Sequence, residues 1–183
     1  MHGPASGAFL LRRATHDDIP ALNALIERSA RILSRGFYTD AQAEAAIRHV
    51  FGVDSNLVTD GTYFVVQSDD DIAACGGWST RRTLYGGDQR PVGGVDRLDP
   101  RTDAAKIRAF FVAPEYARRG IGRLLVDACV DAARKAGFTR MELMATLPGV
   151  PLYAACGFAK VKDVSDVLPD GTTIPLVLME RPL

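Results

Sequence analysis

The sequence predicts an α/β domain of the α+β type, built on a mixed, mostly antiparallel twisted sheet of about six to seven strands. Three observations carry this. Two pairs of β-branched and aromatic runs, 62–66 with 72–78 and 158–167 with 172–180, are each joined by a turn sequence, as hairpins are. Between them, residues 105–145 read strand, helix, strand, which predicts a central right-handed parallel crossover. Apolar residues at three- and four-residue steps near the start predict flanking helices. The 183 residues, 47% of them apolar, supply the core of one domain, and no repeat or linker interrupts them. A single domain over 1–183 is expected, with 1–7 as a flexible N-terminal segment.

Each element has its own signal. Residues 9–14 read as the first strand. Thr15 or Asp17 can cap a helix carried by Ile19, Leu22, Leu25, Ile26, Ala30 and Leu33, with Pro20 tolerated in its first turn. Residues 40–50 repeat the pattern, with Ala43, Ala46, Ile47 and Val50 on one face. The first hairpin turns at Ser68-Asp69-Asp70-Asp71. Residues 81–103 are rich in Gly, Pro, Asp and Arg without periodicity, and predict a long loop of the kind that carries function.

A strand over 105–112 leads through Pro114-Glu115-Tyr116-Ala117 to a helix over 119–136, which Gly137 stops. Its apolar stripe is Ile121, Leu124, Leu125, Ala128, Cys129 and Ala132. A strand over 140–145 and a short helix over 150–155, ended by Gly157, precede the last hairpin and its Pro169-Asp170-Gly171 turn.

Composition removes several function classes. Lysine plus arginine and aspartate plus glutamate each number 22, so no net charge advertises a nucleic-acid or membrane surface. The three cysteines, Cys75, Cys129 and Cys156, suit a reducing cytoplasm better than a disulfide framework. His2, His16 and His49 lack metal-ligand spacing, so no metal is expected. The opening residues carry no basic-then-apolar pattern of a secretory signal, and no apolar run reaches the roughly 20 residues of a membrane span. A cytoplasmic location is expected, with a homodimer left open.

The chemistry starts at Arg118-Arg119-Gly120-Ile121-Gly122-Arg123, between a strand and a helix. Glycine removes the Cβ that would keep a phosphate from the backbone, and a helix start leaves N–H groups without partners. The positive end of the helix dipole and the flanking arginines favour an anion such as a diphosphate. A P-loop would need Gly-Lys-Ser/Thr, but Arg123 and Leu124 follow Gly122. A dinucleotide fingerprint would need a third glycine where Leu125 stands, and would place its glycines directly after the strand. Glu142 lies at about the distance of the ribose-binding acid of such folds, which keeps a dinucleotide oxidoreductase among the alternatives.

The residues 107–114 (Ile-Arg-Ala-Phe-Phe-Val-Ala-Pro), 116–125 (Tyr-Ala-Arg-Arg-Gly-Ile-Gly-Arg-Leu-Leu) and 152–158 (Leu-Tyr-Ala-Ala-Cys-Gly-Phe) together resemble the GCN5-related N-acetyltransferase (GNAT) superfamily. Gly120 and Gly122 match that family's Gln/Arg-x-x-Gly-x-Gly/Ala loop, while Ala117 stands in place of its leading Gln or Arg. The opening Leu11-Arg12-Arg13-Ala14-Thr15 with Asp18 is also typical of it.

The resemblance implies a GNAT-like fold and an acetyl-CoA-dependent acetyltransferase whose acceptor is an amine. It implies that the backbone of Phe110, Phe111 and Val112 pairs with the pantetheine arm, and that the amides of Arg118, Arg119, Gly120, Ile121, Gly122 and Arg123 hold the pyrophosphate. Tyr153 matches the tyrosine that protonates the departing thiolate, a role a neutral phenol can fill. Thr146 and Gly149 depart from the Asn and Ala that many relatives carry before it. Glu142 is the leading candidate for the base that deprotonates the amine, with Asp103 a lesser one. Trp78, in Cys75-Gly76-Gly77-Trp78, is a candidate wall of the acceptor pocket, beside glycines that permit close approach. Direct amine attack in a ternary complex is expected. The alternative is a catalytically silent acyl-CoA-binding or sensor domain.

Overall fold

The structure, a computed structural model, describes residues 8–90 and 96–183. The expected flexible segment 1–7 and residues 91–95 of the long loop lie outside the described residues. Seven strands form one sheet: β1 (Phe9–Arg13), β2 (Tyr63–Ser68), β3 (Asp71–Ser79), β4 (Ala105–Val112), β5 (Arg140–Thr146), β6 (Ala159–Val167) and β7 (Thr173–Pro182). Their order across the sheet is β1-β2-β3-β4-β5-β7-β6. Every neighbouring pair is antiparallel except β4 and β5, which run parallel as the crossover predicts.

Five helices cover the sheet: α1 (Ile19–Leu33), α2 (Asp40–His49), α3 (Ser55–Thr59), α4 (Ile121–Lys135) and α5 (Val150–Ala155). The side chains of β2 and β3 alternate between the two layers. Val65 and Cys75 pack with Leu22, Leu25 and Ile26 of α1, whereas Val66 and Ala74 pack with Ile121 and Leu125 of α4. No helix of the described residues is long and apolar enough to cross a membrane.

Local chemistry explains most of the helix starts. Asp18 accepts from the Thr15 backbone at 2.8 Å and from Arg12 at 2.8 and 2.9 Å, which joins β1 to α1. The ion pair holds the Asp18 carboxyl down at about 2. Thr39 and Gln42 form a reciprocal capping box on α2. Asp54 caps α3, a five-residue helix too short for the sequence periodicity to reveal.

The buried face of α4 differs from the expected stripe. Ile121, Leu125 and Cys129 are buried as expected, but Val126, Val130 and Ala133 complete the face while Leu124 is 37% exposed. The rows through Leu124 and through Val126 flank the Leu125 row on opposite sides, and both are apolar. Only the position of the sheet decides between them.

Candidate active site

Two left-handed residues shape the loop between β4 and α4. Arg118 has φ 64° and Gly120 has φ 81°, and a Cβ at Gly120 would meet nothing within 4 Å. The chain therefore turns sharply and leaves the first amides of α4 facing open space. The first backbone bond back from the helix is Leu124 N–H to the Gly120 carbonyl at 3.1 Å, so the amides of Ile121, Gly122 and Arg123 precede the ladder. Arg118 and Arg119 are exposed beside them, Arg119 lying 5.4 Å over the Tyr116 ring. The Arg123 guanidinium is engaged elsewhere: it donates to the Ala155 carbonyl at 2.8 Å and caps the end of α5. Its side chain is thereby directed to the end of α5, while its backbone amide stays among the first amides of α4.

β4 and β5 pair over two positions only, Ala105 with Met141 and Lys106 with Glu142, and then diverge. A bulge on β4 steers the divergence. Gly76 of β3 faces both Ala109 and Phe110, and Ala109 takes φ 51°, a conformation costly for a residue with a Cβ. The Tyr63 hydroxyl donates to the Ala109 carbonyl at 2.8 Å and holds the bulge in place. The Phe110 ring packs against Gly76 of β3, where a Cβ would collide with it. The glycine pair of β3 permits close approach, as expected, and Phe110 is what approaches.

Two clefts open along the divergence. One runs from Gly122 and Leu125 at the start of α4 past Phe110, Phe111 and Val112, with Ser29 of α1 and Ser34 just after it on its far wall. The other lies between α2, the segment Leu84–Tyr85–Gly86 and the ends of β5 and β7. They share Phe51, Phe110, Phe111, Thr146 and Tyr153, so the clefts meet at the splayed strands. Tyr153 is buried there between Phe110, 6.1 Å away by ring centroids, and Phe158, at 5.9 Å. Burial pushes its phenol well up, reinforced by the neighbouring Cys129 and Cys156, so it stays protonated at neutral pH.

Two expected site residues fall elsewhere. Glu142 forms an ion pair with Lys106 at the closed end of the β4–β5 pair and lines neither cleft. In this placement its carboxylate is paired with an ammonium and lies outside the two clefts. Trp78 is 6% exposed and packs edge-on against Phe138 in the core beneath α4. It lines neither cleft. The Asp103 carboxylate accepts from the Asp99 backbone at 2.8 Å in a turn outside both clefts.

Two charged residues of the second cleft, Arg108 and Asp166, carried only faint signals in the sequence. Arg108 is 2% exposed on β4 and donates to Asp54 at 2.9 Å and to the carbonyls of Gly86 at 2.6 Å and Thr83 at 3.1 Å. Burial pulls its guanidinium down, against the opposing pull of Asp54. Asp166 of β6 lines the cleft and accepts from Arg90 at 2.5 and 3.3 Å. An arginine within an apolar strand run was the one usable clue.

A strand pair thus opens beside a helix start with free amides, and a protonated phenol lies at the opening. Residues 24–158 match the acetyltransferase (GNAT) family. No curated protein matches the sequence significantly. Among solved structures, a GCN5-related N-acetyltransferase from Rhodopseudomonas palustris superposes with TM-score 0.70 at 17% identity, covering 99% of this chain and 100% of that one. PaiA N-acetyltransferase from Thermoplasma acidophilum, solved with coenzyme A, gives TM-score 0.64 at 13% identity over 96% of this chain and 99% of that one. YncA from Salmonella typhimurium, solved with acetyl-CoA, gives 0.63 at 15% over 96% and 94%. At such identities the likeness is one of fold. The chain belongs to the acetyltransferase (GNAT) family and is an enzyme of the acyltransferase class.

Proposed function

We propose that the protein transfers the acetyl group of acetyl-CoA to a primary amine of a small molecule or protein, by direct attack in a ternary complex. The observation that carries this is the meeting of two clefts at Tyr153. The first cleft fits coenzyme A: open amides and two exposed arginines suit its diphosphate, and the groove along Phe110–Val112 suits its pantetheine arm. The second cleft would then present the amine to the junction. Acetyl-CoA supplies an activated thioester; the N–C bond forms as the C–S bond breaks. Tyr153 would hold its proton at Oη for the departing thiolate sulfur.

No free carboxylate lines either cleft among the described residues. The amine would therefore react from its neutral population, losing its proton through water. The same observation favours a second reading, a silent acyl-CoA-binding domain. Acceptor-dependent thiol release decides between them: turnover with a primary amine is expected, and binding of acetyl-CoA without turnover across an amine panel would leave the silent reading. Tyr153→Phe is expected to lower kcat about a hundredfold and to leave calorimetric coenzyme A affinity unchanged. Full turnover by that variant would remove Tyr153 from the chemistry. The buried, free thiols of Cys75, Cys129 and Cys156 suit the cytoplasm, where we place the enzyme.

A further inference from the structure

We propose that the acceptor is a compact apolar monoamine, an amino group on an aromatic or branched hydrocarbon body, and that the second cleft discriminates against polyamines and aminoglycosides. This rests on the reading above, which makes that cleft the acceptor side.

It is a concave cleft with mostly apolar lining, the kind of site that takes a small molecule. Val50, Phe51, Leu84, Phe111, Met144 and Leu176 make apolar walls. Arg108 and Asp166 are the charged residues of its lining among the described residues, and each has its charge paired inside the protein, with Arg108 Nε alone left without a hydrogen-bond partner. Asp54 and two carbonyls hold Arg108. Arg90 holds Asp166 through both guanidinium Nη atoms. Arg90 also sits 4.5 Å over the Tyr85 ring, occupying an aromatic face that could otherwise receive a ligand cation.

A second ammonium on the acceptor would thus enter an apolar cavity in which no charge is free to meet it. Leaving a cation so unpaired costs more than the contacts of its chain return. A hydrocarbon body gains by burial against the same walls. Hydroxyl-rich amino sugars would strip their hydrogen bonds for few replacements. Arg90 is the cation that sets this selectivity, because it neutralises Asp166, the carboxylate that lines the cleft among the described residues.

The test measures kcat/KM by thiol release with phenethylamine, isopentylamine, cadaverine, spermidine and kanamycin, and calorimetric binding of the same amines to the coenzyme A-loaded protein. The monoamines are expected to exceed cadaverine and spermidine by at least about tenfold. Arg90→Ala, with Arg90→Gln as the second variant, exposes the Asp166 carboxylate and should raise the cadaverine-to-phenethylamine ratio at least about tenfold. Asp166→Asn should not raise it. Preference of the native enzyme for a polyamine or kanamycin would overturn the inference while leaving the transferase reading intact. A preference for octanoyl-CoA over acetyl-CoA would also overturn it, by assigning the cleft to the acyl chain. If no amine turns over, calorimetric binding of phenethylamine but not cadaverine keeps the acceptor class and defeats the transferase reading. Absence of binding by every amine defeats the inference itself.

Discussion

Burial does two opposite things to the titratable groups around the strand opening. It keeps the Tyr153 phenol protonated beyond its usual range, which is what a proton donor to sulfur needs. It also makes the Cys75 thiol unreactive, pushed up to about 12. The sign of the Tyr153 shift gives a pH prediction. A group with a raised pKa keeps its proton as pH rises through its ordinary value, so Tyr153 adds no alkaline fall to the rate below about pH 10. kcat/KM should climb with pH along the acceptor's own ionisation, and Glu142→Gln should leave that profile in place. An acidic limb that vanishes in Glu142→Gln would assign the base to Glu142. The Gly120 loop was legible because helix-start chemistry is local. Glu142 was not, because its partner Lys106 lies 36 positions away in sequence and only the strand register brings them together. The facing of Trp78 was illegible for a related reason. Residues 73–79 of β3 are all buried, so no alternation tells which face a side chain takes.

At the scale of elements, the start of α4 and the Arg108–Asp54 pair carry the sharpest consequences. Gly120→Ala adds a Cβ that meets no protein atom, so its structural cost is the left-handed backbone alone, about 1 kcal/mol. The same Cβ enters the space where the anion is proposed to lie. Coenzyme A affinity should fall at least about tenfold by calorimetry, more than that strain implies; unchanged affinity would move the diphosphate off Gly120. Asp54 both caps α3 and neutralises the fully buried Arg108. Asp54→Ala leaves a buried cation without its counterion and should cost about 3–5 kcal/mol in urea unfolding. Substitution at the exposed Arg31–Glu44 pair should cost at most about 1 kcal/mol. The long helices and the strands were readable from periodicity. Helix α3 was not, because five residues hold less than two turns of pattern.

At the scale of the molecule, the sequence carried the fold class and the parallel crossover, but not the insertion of β7 between β5 and β6. That placement makes the last strand the neighbour of β5, and no local signal encodes it. The clefts were illegible for the same reason, since they arise from what two strands fail to do. β4 and β5 share two residue pairs, while each is paired along most of its length to the neighbour on its other side. The sheet is thus two plates, β1 to β4 and β5 to β7, clasped at one end. Ligand bridging the open end would replace the missing ladder. Hydrogen–deuterium exchange should find the amides of Phe110, Phe111 and Val112 among the faster strand amides in the empty protein, and slowed when acetyl-CoA is added. Equal protection in both states would mean that the plates are already held together without the ligand. If slowing is found, the co-substrate completes the sheet, and the enzyme's cooperative unfolding unit grows from two halves to one whenever its acetyl donor is abundant.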